Sequence, residues 1–490
     1  MKALISSLVS FGMAGFLAAA CAAWPDDLCA GGACVMSADA TTDVQTPPGC
    51  DDKADPKDSP LCLDDSYAVF IDSVNGVDAA DGTKAAPVKT IGHALTLLGG
   101  RPRIYICGTG TLDEHVVLTS ATSLIGGYNC GTWDYRDTPN NKATIKPHDA
   151  GYALKISSVP SSISDLAFEA QAGANAGDSS IAVFASGSDV TFRRCSLTAQ
   201  AGAVGSPGSK GVNGVWSDPA GGGAGVMCTC TTGGSTTGGA GGDVGGSGKD
   251  GLPSIAGNVT ESNGAAGVGN QACGVGGTGA GHNGGDSPSG ANAAANSSLG
   301  QLTANGWLPG DGLDGTDGQP GQGGGGGGGR AGAGGGGGCG GCGGTKGTAG
   351  NGGGSSVALL SYQSTVQLIG CALTTNQAGS GGSGGNGGDA NEGFAGDPGS
   401  TPSPAGCGGG DGGSGGAGGA GSGGAGGISA GVLYSGSAPV PDTETTIHPG
   451  AAGVRGVAGM SGSPSVVAGN QGLDGKSGQM VSADDWTVTP

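Results

Sequence analysis

The chain has 490 residues, 116 of them glycine, and 39 acidic residues against 19 basic ones give a net charge of −20. That balance argues against a nucleic-acid partner, whose phosphates need Lys and Arg. Aromatics are only 4% of the chain, and the 36% apolar fraction leans on Ala, so one or two modest cores are available but not one spanning the whole chain.

Residues 1–20 have the layout of a secretory signal: Lys2, an uncharged stretch from Ala3 to Ala20, and a small-residue end. The run Leu17-Ala18-Ala19-Ala20-Cys21 resembles a bacterial lipoprotein signal, although Leu17 stands one place upstream of the usual position. The resemblance implies lipidation of Cys21, a membrane partner reached through the lipid, and an outer-membrane or cell-surface location. The alternative is a plain signal cut near Ala22 and a secreted product.

Setting Cys21 aside leaves 14 of 15 cysteines. An even number in an exported chain reads as a disulfide framework. The candidates are Cys29, Cys34, Cys50, Cys62, Cys107, Cys130, Cys195, Cys371, Cys228, Cys230, Cys273, Cys339, Cys342 and Cys407. Cys339-Gly-Gly-Cys342 and Cys228-Thr-Cys230 have zinc-like spacing, but no His-rich partner stands nearby, so disulfides are favoured. Residues 21–64 carry Asp, Pro and Cys without a hydrophobic period and read as an extended, locally stapled tether.

A body is expected at 65–200. Val69-Phe70-Ile71 is a short apolar strand. Asn75-Gly76 and Asp81-Gly82 mark turns, and Ile91, Ala94, Leu95 and Leu98 follow helical spacing from about Thr90 until Gly99-Gly100. The stretch from Asn75 to Leu95, with its Asp81-Gly82-Thr83 and Pro87-Val88-Lys89-Thr90-Ile91, resembles the entry pattern of the pectin-lyase-like superfamily. It is similar above all to an extracellular family of unknown function within it. The resemblance covers about 67–130. It implies an all-β fold, a right-handed parallel β-helix with a short N-terminal capping helix. Ile104-Tyr105-Ile106, Leu124-Ile125, Ile145 and Leu166-Phe168 recur every 20 to 22 residues, the length of one coil of a stacked solenoid.

A second repeat is split by a long insertion. Residues 179–198 and 355–374 match at eight of twenty positions, at a constant offset of 176. A degenerate third copy runs from Ser429 to about Ile447. A coil cannot bury its inner face alone, so the copies should be neighbours in space. Cys195 and Cys371 should then be adjacent, bonded or simply stacked. The resulting order is body to 200, insertion 201–352, coil copy 353–378, insertion 379–427, coil copy 428–448 and a glycine-rich tail 449–490.

The insertions hold glycine at every third position: Gly202 to Gly214, Gly239 to Gly251, Gly332 to Gly350 and Gly406 to Gly427. A period of three belongs to polyproline-II-type chains. Collagen is a weak reading, because Pro numbers only 24 and the register breaks. Two readings remain: a polyglycine-II-like bundle, or disordered Gly/Ser linker. The strict register favours the bundle; the entropy of ordering glycine opposes it. The tracts resemble those of PE-PGRS-type surface proteins, without that family's N-terminal helical domain.

The superfamily resemblance implies glycans as partners and raises a lyase, which would need calcium-binding carboxylates and a base on one sheet. Asp178, Asp189, Arg193 and Arg194 are the candidates. Asp189, Arg193 and Arg194 become Thr365, Ile369 and Gly370 in the second copy, and solvated strand charges are the favoured reading. Asp311, Asp314 and Asp317 could meet calcium at period three, though a solubilising acidic edge is favoured. His93, His115, His148, His282 and His448 are dispersed. No cofactor and no catalytic activity are inferred. The expectation is an exported structural or adhesive envelope protein, binding glycans or other surface proteins. The alternatives are a glycan-active enzyme or glycan binder, and an ice- or repetitive-surface binder.

Overall fold

The computed structural model describes residues 45–136, 142–217, 225–253, 263–274, 276–401 and 405–485. The signal region, Cys21, Cys29 and Cys34 lie outside the described residues. The described chain is all-β apart from one short α-helix and two 3-10 turns.

Three parallel sheets form the body, and from Arg103–Cys107 onward the chain visits them in rotation. The first sheet holds Ala68–Asp72, Arg103–Cys107, Ser123–Tyr128, Ser161–Ser164, Asp189–Arg193, Thr365–Ile369 and Val440–Pro441. The second runs from Thr111–Leu112 through Ala143–Ile145, Leu166–Glu169, Ser196–Ala199 and Ala372–Thr375 to Thr446–His448. The third runs from Val116–Leu118 through Leu154–Ser157, Ser180–Ser186, Ser356–Tyr362 and Ser429–Ser435 to Ser477–Ser482.

The core is three ladders of apolar side chains. Ile104, Leu124, Ile163, Phe192 and Leu368 stack in register on the first sheet. Leu112, Ile145, Phe168, Leu197, Leu373 and Ile447 stack on the second. Val116, Leu154, Val183, Leu359 and Val432 stack on the third. All are buried in one cluster. No strand buries its inward residues alone; each needs the coil on either side.

The recurrence read from the sequence mixes two sheets. Ile104 and Leu124 are first-sheet partners, but Ile145 and Phe168 belong to the second. The in-register steps on the first sheet are 20, 39 and 29 residues, so an even interval of 20 to 22 is not the turn length here. The 176 offset is a true neighbour relation: Val190 pairs with Val366, and Leu197 with Leu373. The C-terminal tail also departs from expectation. Ser477–Ser482 extends the third sheet, a strand whose sequence, with one buried apolar residue at Val481, gives little signal.

The helix Ile91–Thr96 closes the N-terminal end. Thr90 caps it by accepting from the His93 N–H. Asp78 accepts from the Lys89 and Thr90 N–H groups and the Thr90 hydroxyl. Gly76 sits where any Cβ would collide with the Val88 carbonyl. Ile91 and Ala94 bury against the body.

The described part of the tether, 45–64, is docked rather than extended. Cys50–Cys62 staples it. Arg103 donates to the Asp52 carbonyl, and Tyr128 to the Pro56 carbonyl. Its hold on the body explains why charge and Pro content alone misread it.

Candidate functional site

The glycine segments pack as a bundle with a hydrogen-bond period of three residues. Segment 406–427 is its axis. Gly409 to Gly427 donate at every third residue to an antiparallel run from Asp397 back to Gly379. Gly410 to Ala425 donate to the run from Gly325 back to Gly310. Carbonyls of the same segment accept from Gly335 to Gly353, from Gly281 to Ala293, and from Gly453 to Gly462. Gly423 and Gly426 donate to Asn470 and Leu473. Six segments therefore surround the axis, at N···O distances of 2.7 to 3.1 Å. Neighbouring segments of the ring bond one another as well: Gly382 to Asn351, Gly312 to Gly350, Gly325 to His282, Gly472 to Gly456 and Gly381 to Val454. The Asn470 amide closes the ring on the Ala293 carbonyl.

Glycine is required here for space. A Cβ on Gly418, Gly421 or Gly424 would fall onto the carbonyl of Thr345, Thr348 or Asn351. The period of three places one such edge along each chain. No apolar core drives this packing, so the backbone hydrogen bonds must offset the ordering entropy. At about 1 kcal/mol each they barely match it. Three disulfides fasten the bundle: Cys228–Cys339, Cys230–Cys342 and Cys273–Cys407. Each closes a loop of more than 110 residues, worth about 4–5 kcal/mol in the chain-entropy account.

Short polar side chains complete the network. Asn283, Asp286, Ser289 and Asn292 accept from the N–H groups of Asp411, Ser414, Ala417 and Ala420, all at an offset of 128. Asp311, Asp314 and Asp317 do the same for Gly352, Ala349 and Lys346. That adds a structural role to the acidic edge, whose three carboxylates stay exposed. These carboxylates cap backbone donors that period-three packing leaves over, and Lys346 pairs with Asp314 at 2.8 Å.

One side of the bundle is a row of three parallel segments: 202–214 bonds to 377–389, and 378–390 bonds to 451–463. Val204, Val454 and Val457 stand about 60% exposed on its two outer segments. The bundle joins the body through the outer face of the third sheet. There Phe184, Leu360 and Leu433 meet Leu299, Leu302, Trp307 and Ile428. Both faces of these strands are buried, which is why they read as continuous apolar runs. The hairpin Gly300–Thr303 with Gly306–Pro309 covers the sheet; it was not legible as strands among the surrounding turn residues. Beside it opens a cleft of about 770 Å³ bordered by Asp178, Asn296, Gln301 and Asp311.

No family model matches the chain, and neither a curated protein nor a solved structure does.

The remaining singled-out residues separate. Asp178 borders the cleft and accepts from Asn175. Asp189 is exposed at a strand edge. Arg194 is not a solvated charge. It pairs with Asp55 at 2.6 Å and with Asp165 at 2.8 Å. Burial works against its charge, and the two carboxylates more than offset that. His115 and His148 are less dispersed than the sequence suggests. His115 bonds the Tyr152 carbonyl and Asp149, and His148 bonds Asp113.

Cys107–Cys130 is also bonded. These two sulfurs lie with Asp72 in the cluster that has metal-ligand spacing among the described residues, but a disulfide offers no thiolate. Cys195 and Cys371 are a correction to the disulfide framework: both are buried and unbonded. Their sulfurs are engaged with main-chain carbonyls, Cys195 with Ile163 and Cys371 with Phe192. Burial pushes the Cys195 thiol well up, with Cys371 adding to it.

Proposed function

We propose that this is an exported envelope protein, anchored through Cys21, with a structural or adhesive role. Its three-sheet body is read as a right-handed parallel β-helix of the pectin-lyase type, and its glycine segments as a polyglycine-II bundle presented on that scaffold. The observation that carries the reading is the six-neighbour enclosure of segment 406–427. A chain that merely linked coils would not need every third residue to be glycine, nor the polar caps beside it. The expense of ordering so much glycine is understandable if a rigid surface is the product. Glycans or other surface proteins are the partners in this reading.

A second reading, repetitive-surface binding, is favoured by the outer row. Val454, Val457 and Met460 repeat at three-residue intervals, about 9 Å apart for a threefold chain. They lie parallel to the segment that carries Val204.

Cell fractionation and a binding assay test the proposal. Wild-type protein should sediment with membranes and Cys21→Ala should be released. Cells or beads carrying the protein should adhere to a surface or glycan array, and Val454→Asp with Val457→Asp should reduce adhesion. Adhesion unchanged by that pair would remove the bundle from the function.

A further inference from the structure

The first sheet carries a groove between its outer face and the docked segment 51–56. It measures about 260 Å³. Three cations line it, Lys53, Arg103 and Arg193, beside Ser123, Ser162 and Thr191. The hydroxyl residues form a ladder across neighbouring strands, because Ser162 pairs with Thr191 and Arg103 with Ser123. Asp52 is the single acidic residue of the lining.

This is anomalous in a chain of net charge −20. Most cations here have an acidic partner or a carbonyl to hold. Arg103 is 4% exposed and spends two donors, on the Tyr105 hydroxyl and the Asp52 carbonyl. Its guanidinium keeps further donors. Arg193 and the Lys53 ammonium have no ion pair or side-chain hydrogen bond among the described residues, although their neighbour Arg194 has two acidic partners. The wall is fixed rather than floppy. Arg194 grips Asp55, and Cys50–Cys62 closes the segment behind it. A rigid wall with many donors, three of them cationic, and few acceptors is complementary to an oxyanion.

We propose that this groove binds a tetrahedral oxyanion, sulfate or phosphate, either free or as an ester. Arg103 supplies a buried, pre-oriented donor, Arg193 a second guanidinium from the same sheet, and Lys53 a third charge from the docked segment. The hydroxyls of Ser123, Ser162 and Thr191 take the remaining oxygens. Three cations from separate elements suit a divalent group better than a carboxylate, whose two oxygens one arginine can satisfy. An adjoining hollow of about 340 Å³ continues past Pro160 to Asp189. Its acidic end disfavours a second anion, so a bound ester would extend into it with a neutral portion. This assignment is independent of the glycine bundle.

Calorimetric titration of the full chain with sodium sulfate and with sodium phosphate, at ionic strength held constant with chloride, tests it. Saturable one-site binding is expected. Arg193→Gln should weaken it at least about tenfold, the scale of one charge-assisted contact, and Arg193→Lys should recover part of the loss. Lys53→Gln provides an independent variant outside the sheet. A sulfated oligosaccharide that binds more tightly than free sulfate, with the same loss in Arg193→Gln, assigns the source to an ester; equal binding assigns it to the free ion. Sulfate and phosphate heats no different from chloride would overturn the proposal, as would binding indifferent to both variants in folded protein.

Discussion

The N–H of Asp389 donates to Oδ1 of Asn213 at 3.1 Å, across 176 positions of sequence. The same offset joins Ser364 to Ser188, Ser355 to Ser179 and Asn376 to Gln200. Coil and glycine segment thus share one register, and the bundle continues the stacking of the body.

That continuity makes axial glycines sensitive. Gly418→Ala should cost about 1–3 kcal/mol, the scale of an overpacked core, because its Cβ meets the Thr345 carbonyl. Gly274→Ala, where nothing lies within 4 Å, should stay within about 0.5 kcal/mol. Thermal unfolding of the two variants checks this; equal effects would refute close packing.

The polar caps should behave as hydrogen-bond acceptors rather than as calcium ligands. Asp286→Ala leaves the Ser414 N–H without its acceptor and should cost about 1 kcal/mol. Asp314→Asn keeps an acceptor for Ala349 and should change less than Asp314→Ala. Chelator should leave the melting temperature unaltered; a drop would restore the calcium reading.

The bundle depends on its disulfides more than the body does. Replacing Cys273 and Cys407 by Ser should cost about 2–5 kcal/mol and expose the insertions to protease while the three-sheet body survives. Cys195 and Cys371 should resist alkylation until denaturant is added, since both are buried. Peptide mass mapping reads both outcomes; a Cys195–Cys371 bond would contradict the second.

Arg194→Ala strips two carboxylates of their partner and should destabilise by about 3–5 kcal/mol. Asp55 has its own signature. Burial raises its pKa, but the hydrogen bond and charge of Arg194 win, leaving it below the ordinary 3.8. Its contribution is therefore present above pH 3.8 and lost as pH falls through the lower folded value. Acid unfolding of Asp55→Asn should lack that component.

His115 titrates in the opposite sense. Its bond to the Tyr152 carbonyl raises its pKa above 6.5; burial opposes this and Asp149 adds to the rise. His148 is raised by Asp113. Stabilisation by these pairs is complete below pH 6.5 and fades as pH climbs through the raised values. The melting temperature should fall across that window, and His115→Gln with His148→Gln should flatten the slope.

Much of this was legible in the sequence, for identifiable reasons. The entry segment reads correctly because its turns, cap and helix are local: Thr90 caps its own helix, and Asp78 holds Thr90 from 12 residues away. The coil copies read correctly because stacking imposes the same apolar pattern on each. Ser477–Ser482 and the hairpin at 300–309 were missed because their stability comes from what they pack against. Arg194 and the tether were misjudged because their partners lie far along the chain, 29 to 139 residues away.

The sequence by itself determined that glycine must recur every third residue, that coil copies must be neighbours, and that six cysteines fall within the insertions. Those are constraints of backbone period and of burial, which each segment carries in its own composition. Tertiary structure decided which segment is the axis, which carbonyl each glycine faces, and that Cys195 and Cys371 stay reduced. One glycine stripe looks like another in the sequence. Only the arrival of six neighbours tells one stripe from another.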